Sequence, residues 1–342
     1  MPASENNLGS KRVPLVRAAI LLPVLNAFCA SGYDANAVLQ LINLDERRVS
    51  DPETFVTHDV VYSAYNAIAS KAGLDFCAQV GDALEWSDFV PFAEKLSHST
   101  SLGEFFLAFT SAVSKESNAV ATSFLVEDEH AYFTARRMFQ PSVSPAQVDA
   151  FMVAVWIGLL HRVLDFRWDP SMLIVQLADP KALPEGFHGV RPIRRDARGF
   201  SIRFPSEWLT RSLPDNALVP EQSVVSESTS FPPNDFLASV KNAIREQVEA
   251  DRMSVEKAAE ACGFTVSALN RRLSKHDTTI SGVIADIRFE IAGRALMSTD
   301  RPIGDIASDL GYSDATAFTR AFRKWTGKSP TAFRNMYGKL AE

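Results

Sequence analysis

Two short clusters near the C-terminal end of the chain hold side chains that can read a nucleic acid. Ser267, Asn270, Arg271 and Arg272 form the first, and Ala315, Thr316, Thr319, Arg320, Arg323 and Lys324 the second. The planar fork of Arg donates two hydrogen bonds to O6 and N7 of guanine, and the Asn amide pairs similarly with adenine, each pair discriminating by about 1–3 kcal/mol. A single Arg on a helix surface is usually a solvated charge. Arg271 and Arg320 recur at equivalent places in two similar segments, and that repetition favours recognition of base edges. Ser267 and Thr316 fit a solvated face equally well.

Such residues need a frame, and the sequence supplies one twice. In residues 254–274, Val255, Ala258, Ala259 and Cys262 make an apolar stripe, Gly263-Phe264 interrupts it, and Leu269 and Leu273 resume it. Ser254 and Thr265 suit the two helix starts. In residues 302–325, Pro302 suits a first helical position, and Ile303, Ile306, Ala307 and Leu310 form the stripe. Gly311 ends that helix with a left-handed cap, Ser313 is the expected next N-cap, and Phe318, Ala321, Phe322 and Trp325 repeat at helical spacing. Gly327 and Pro330 stop the second helix, with Phe333 and Tyr337 closing underneath. The glycines lie 48 residues apart and the two Arg 49, so the second turn holds one extra residue. Between the copies, residues 282–297 predict one amphipathic helix with Ile284, Ile287, Ile291, Ala295 and Leu296 on its apolar side. Its expected length of about 24 Å compares with about 34 Å between successive major grooves on one DNA face.

The 342 residues, 46% hydrophobic and 22% charged, suffice for two domains with their own cores. The net charge of −6 divides unevenly: residues 235–342 carry +2 and the remainder −8. A net charge of +2 is a weak electrostatic footprint, so well-placed contacts and dimerisation are expected to supply affinity. Cys29, Cys77 and Cys262 show no CxxC spacing, and the odd count predicts buried thiols in a reducing compartment rather than a disulfide framework. The apolar run 13–30 imitates a secretory signal, but Arg17 interrupts it and Pro23 and Asn26 lie in its middle, so a buried helix ending at Gly32 is expected. No uninterrupted run of 18–20 apolar residues suggests a membrane span, and the expected location is cytoplasmic.

The region before the paired helices predicts one α+β domain over about 13–213. Residues 18–30, 35–43, 60–72, 102–114 and 147–164 have helical character. Residues 120–126 and 131–137 form an expected hairpin, and 172–177 and 200–204 read as further strands. Residues 214–234, rich in Ser, Pro and acidic side chains, form an expected linker, followed by a helical domain over 235–338. The fold class is therefore an α+β N-terminal domain followed by an all-α C-terminal domain with two helix-turn-helix motifs joined by a central helix. No HExxH, GxSxG or phosphate-binding loop is present, so neither catalysis nor a cofactor or metal is expected. Two candidate ligand features remain: His161 with Arg162 and Arg167 as an anion site, and Phe105, Phe106, Phe109, Phe151, Trp156 and Trp168 as a pocket lining. Their bland alternatives are a solvated helix end and plain core.

The pattern Arg288-x-x-x-Ala292-x-x-x-Leu296, the run Ile303-x-x-Ile306-Ala307-x-x-x-Leu310-Gly311-Tyr312, and the close Phe318-x-Arg320-x-Phe322-Arg323-Lys324-Trp325-x-Gly327-x-Ser329-Pro330-x-x-Phe333-Arg334 occur in order. With them, residues 236–338 resemble the DNA-binding domain of AraC/XylS-type bacterial transcription regulators. Leu273 departs from the family, which usually has an aromatic there. The stretch Gly199-Phe200-Ser201-Ile202-Arg203-Phe204-Pro205-x-x-Trp208-Leu209 resembles, less specifically, the effector-binding or dimerisation domain of the ornithine-regulator-like subfamily. The resemblance implies base-edge contacts from Ser267, Asn270 and Arg271 in one helix and from Ala315, Thr316, Thr319 and Arg320 in the other. Arg272, Arg323 and Lys324 are then placed for phosphates. It also implies double-stranded promoter DNA, a small-molecule effector of unspecified identity and a homodimer as partners, with RNA polymerase a further partner if the protein activates, as the family more often does. The alternative is a ligand-independent regulator whose N-terminal domain serves only dimerisation.

Overall fold

The computed structural model describes residues 13–84, 99–196, 198–213, 232, 235–249 and 253–337. It divides into two compact units, Met1–Asn234 and Asp235–Glu342. The expected linker lies almost wholly outside the described residues.

The N-terminal unit opens with β1 (Leu15–Arg17), which later pairs antiparallel with β2 (Phe55–Thr57), Val16 opposite Val56. A 3-10 turn over Ala18–Leu21 then leads into α1 (Leu22–Ala30). The apolar run is thus strand, turn and helix rather than one helix. Two residues explain the break: buried Arg17 points its Nε at the Glu116 carboxylate, 2.7 Å away, and Pro23 suits the first helical turn. Cys29 is exposed, contrary to expectation, whereas Cys77 and Cys262 are buried.

Three helices follow α1 on either side of β2: α2 (Ala35–Leu41), capped by Asp34, α3 (Glu46–Ser50), and α4 (His58–Ala72). Then come α5 (Phe76–Ala83), α6 (Leu102–Glu116), β3 (Val120–Glu127), β4 (His130–Arg137) and α7 (Ala146–Leu164). Strands β5 (Ile174–Leu177), β6 (Ile193–Arg194) and β7 (Gly199–Pro205) complete a five-stranded sheet of order β3-β4-β7-β5-β6. Only the β5–β6 pair is parallel. The 120–137 hairpin keeps register from Val120 opposite Arg137 to Glu127 opposite His130.

Helix α7 runs through the core of this unit. By length and composition Ala146–Arg167 is long and apolar enough to cross a bilayer, although Asp149 and Arg162 interrupt its apolar run as the sequence indicated; 72% of its most apolar 18-residue window is buried inside the protein. Phe106 stacks on Trp156 at 4.5 Å between ring centroids, and Phe105 and Phe109 meet the same indole edge-on. Helix α5 crosses α7 so closely that a Cβ on Gly81 would lie 2.4 Å from the carbonyl oxygen of Phe151.

The C-terminal unit is helical: α8 (Phe236–Glu249), α9 (Val255–Ala261), α10 (Val266–Leu273), α11 (Ile280–Ser298), α12 (Ile303–Asp309), α13 (Ala315–Thr326) and α14 (Pro330–Tyr337). Helix α11 has 19 residues, three more than expected, and so is about 28 Å long at about 1.5 Å per residue. Ala292 and Leu296 near its end join Ile306, Ala307, Leu310, Phe318 and Phe322 in one apolar core. Near its start, buried Val283 and Ile287 accompany buried Leu269 and Leu273 of α10 and Val240 and Ile244 of α8. Lys241 and Arg245 of α8 pair with Glu290 of α11, holding that glutamate below the usual carboxylate range against the upward push of burial.

Candidate nucleic-acid interface and ligand cavity

Each helix pair is built by the same local device. Gly263 and Gly311 both adopt φ of +73°, a left-handed conformation that costs glycine nothing, and the backbone N–H after each turns back into the preceding helix. The next helix is then capped by a side chain. Thr265 accepts from the Ala268 N–H at 3.3 Å, and Asp314 accepts from the Ala317 N–H at 2.7 Å. Asp314, not Ser313, is therefore the second cap. Ser313 instead donates its hydroxyl to Asp314, and the extra residue in this turn is what moves the cap along by one. The Ala317 N–H, with help from Ser313, holds the Asp314 carboxyl below its ordinary range. Pro302 occupies the N-cap of α12 rather than its first helical position.

The caps leave two faces turned to solvent. On α13, Ala315, Thr316, Arg320, Arg323 and Lys324 are exposed and Thr319 is half-buried. Beneath them Phe318 and Phe322 are fully buried, and Trp325 packs against Phe289 and Tyr312. On α10, Ser267 and Arg271 are exposed, while Asn270 and Arg272 are half-buried. No ion pair engages Arg271, Arg320, Arg323 or Lys324 among the described residues, which leaves their donors facing water.

Asn270 and Arg272 have structural occupations that the sequence did not reveal. The Asn270 side-chain oxygen accepts the backbone N–H of Ile280 at 3.0 Å, the first residue of α11. The Arg272 guanidinium lies 4.6 Å from the ring centre of Phe264 and 5.8 Å from that of Phe236.

The N-terminal unit holds a partly open cavity of about 100 Å³. Val61, Val113, Val148, Met152, Phe133 and Phe200 give it an apolar wall, and His58, Tyr62, Glu116, Arg137 and Asp149 contribute the polar part. Arg137 and Asp149 form a bidentate pair at 2.5 and 2.9 Å, both nearly inaccessible to water. His58 Nε2 lies 2.8 Å from the Ser117 hydroxyl, and its other ring nitrogen 3.4 Å from the Tyr62 hydroxyl. Burial, reinforced by the Arg137 charge, pushes His58 down to about 3. Burial raises the Tyr62 hydroxyl above its usual range.

Of the six aromatics expected to line a pocket, Phe109 alone borders this cavity. Phe105, Phe106, Phe151 and Trp156 are core, and Trp168 donates its indole N–H to the His188 carbonyl. The expected anion site also differs. Arg162 donates to the carbonyl oxygens of Asp82 and Leu84, Arg167 lies over Phe166, and the His161 ring packs on His188, which pairs with Asp82. Arg162 is thus committed to the fold, while Arg167 is exposed and burial lowers the His161 imidazole below its ordinary value. The cavity residues had one signal in the sequence: Arg137 and Asp149 are charges within otherwise strand-like and apolar helical segments.

The architecture is thus a sheet-bearing unit with a cavity and a unit of two capped helix pairs on one connecting helix. The N-terminal arabinose-binding domain of AraC transcription regulators matches residues 32–213, and a helix-turn-helix domain matches residues 258–336. The chain belongs to the AraC family of transcription regulators. It is 28% identical over 181 residues to the HTH-type transcriptional regulator VqsM of Pseudomonas aeruginosa, covering 51% of this chain and 54% of that one. It is 31% identical over 137 residues to the ornithine utilization regulator of the same species, covering 39% and 40%. The chain thus spans about half the length of these curated relatives. The crystal structure of the transcriptional regulator CdpR from Pseudomonas aeruginosa is similar at 17% identity and a TM-score of 0.36, over 88% of this chain and 96% of that one.

Proposed function

We propose that this chain is a sequence-specific transcription regulator that reads promoter DNA through two successive major grooves. Ser267 and Arg271 of α10 and Ala315, Thr316, Thr319 and Arg320 of α13 meet base edges; Arg272, Arg323 and Lys324 meet phosphates. The carrying observation is the pair Arg271 and Arg320: equivalent positions, both exposed, each on a helix with its own core, both fixed to one connecting helix of about 28 Å. Asn270, assigned to a base by resemblance, fits better as a brace between α10 and α11. Selection of bound fragments from the source genome tests the reading. Enriched fragments share two short motifs about one helical turn apart, whereas enrichment without a shared motif rejects it.

The N-terminal unit binds a small molecule, and the protein works as a homodimer without enzymatic activity. The cavity favours this over a domain that only dimerises, because a pure dimerisation platform needs no internal space bordered by hydrogen-bonding groups. A ligand changes DNA occupancy only by binding one arrangement of the protein better than the other. A coupling of about 1–3 kcal/mol gives roughly 5–150-fold. Dimerisation compensates the small positive charge of the reader unit, and contact with RNA polymerase completes the role if the protein activates.

A further inference from the structure

The polar part of the cavity wall is already balanced in charge. Arg137 is answered by Asp149 through two hydrogen bonds, and Glu116 by Arg17. His58 stays uncharged at neutral pH because it is buried beside the Arg137 guanidinium. A carboxylate, an ammonium group or a zwitterion entering this space would lose its hydration and find its countercharge already paired. Its charge would go uncompensated.

Size and polarity narrow the occupant further. A cavity of roughly 150 Å³ lined by aliphatic and aromatic side chains stays dry and admits benzene; this one, at about 100 Å³, is smaller. A sugar carries a hydroxyl on nearly every carbon, and each buried hydroxyl needs a partner or costs free energy. Here His58, Tyr62 and Ser117 form a hydrogen-bonded chain at one corner, and the other lining hydroxyl, that of Thr122, donates to the Thr110 carbonyl. Val61, Val113, Val148, Phe133 and Phe200 offer nothing but contact area elsewhere.

We infer that this cavity takes a small, uncharged, mainly apolar molecule with a single hydrogen-bonding group, of about four non-hydrogen atoms, and takes neither a sugar nor an ionised metabolite. The hydrogen-bonding group sits against the His58–Tyr62 corner, and the hydrocarbon part fills the space between α4, α6, α7 and the sheet. This assignment deepens the sensory part of the function proposed above and rests on it for its regulatory meaning.

Met152 lines the cavity, whereas Met138, Met172, Met297 and Met336 are exposed. A full-length chain carrying 13C-methyl methionine therefore reports on this space, with the Met152 signal assigned through Met152→Leu. 2-Propanol is the probe; isopropylammonium and acetate are charged analogues of the same size, and L-arabinose is the sugar control. 2-Propanol is expected to shift the Met152 methyl signal saturably in the millimolar range, and the other three to leave it in place. Val148→Phe, which fills the space from α7, is expected to abolish the shift; the wild-type titration decides the matter if that variant does not fold. An unmoved Met152 signal with 2-propanol, or equal movement with either ion or the sugar, overturns the assignment. DNA footprinting on the same sample separates the two readings. An intact footprint with a silent Met152 sinks the cavity assignment alone. Arabinose raising the melting midpoint without moving Met152 leaves a sensor whose site lies elsewhere.

Discussion

The side-chain oxygen of Asn270 accepts the backbone N–H of Ile280 at 3.0 Å, tying α10 to the first residue of α11. Helix starts leave N–H groups without intrahelical partners, and Ile280 is fully buried, so water cannot readily replace Asn270. Asn270→Ala is expected to lower unfolding free energy by about 1–3 kcal/mol, the cost of an unsatisfied donor, while leaving base preference unchanged. Urea denaturation and sequence selection measure the two effects. Undiminished stability together with a lost adenine preference would return Asn270 to the DNA.

Arg320 and Lys324 lie one helical turn apart on α13 and should fail differently. Arg320→Ala is expected to cost about 1–3 kcal/mol in binding and to relax preference at one base pair. Lys324→Ala should weaken all sequences alike and reduce the salt dependence by about one phosphate contact. Titrations of matched and mismatched sites at several salt concentrations distinguish them. Identical salt slopes and identical preferences for the two variants contradict the division of roles.

His58 gives the N-terminal unit a defined acid sensitivity. Its folded-state value is about 3, while the unfolded chain takes up a proton near 6.5. The unfolded state therefore binds more protons between those limits, so this contribution is fully present above about 6.5 and declines as pH falls toward about 3. The expected slope is about 1.4 kcal/mol per pH unit for one proton. His58→Gln removes that proton, so the difference in stability between variant and wild type should vary with this slope between pH 6 and pH 4. A constant difference over that range means His58 is protonated in the fold.

Gly81 permits the close crossing of α5 and α7. With a Cβ 2.4 Å from the Phe151 carbonyl oxygen, Gly81→Ala forces backbone to move rather than a flexible side chain. The expected loss is about 1–3 kcal/mol, read as a lower thermal midpoint of the full chain. An unchanged midpoint would show that the two helices separate without cost.

The two helix pairs and α11 were legible because they carried agreeing signals, an apolar period and a cap or stop, whereas α8 was not read from the sequence. Gly311 with Phe318, Phe322 and Trp325 determined both the turn and the buried face. The N-terminal unit was legible in its long segments and in α2, β5 and β7, but not throughout. The hairpin at 120–137 and helix α7 have clear patterns, but α3, β2, α5 and β6 are too short to show a period, and β2 and β6 are completed by pairing with β1 and β5. The cavity was unreadable for a related reason: Val61, His58, Phe133, Arg137 and Met152 come from α4, β4 and α7, and only long-range packing brings them to one space. Aromatic spacing suggested a lining and found the core, because large rings at helical intervals are what fills a space rather than what leaves one open. Asn270 shows the limit at the interface, since its partner Ile280 belongs to the following helix.

The continuous helix α11 also sets how this protein can change by insertion and deletion. A single residue added within Ile280–Ser298 would swing everything after it by about 100° and advance it by about 1.5 Å. Arg320 would then turn away from its present direction relative to Arg271, whatever the quality of its own helix. If the two read one operator as proposed, drift in its spacing cannot be followed by small length changes in α11. Descendants of this chain must adjust the bases they prefer while the interval between the two half-contacts stays inherited.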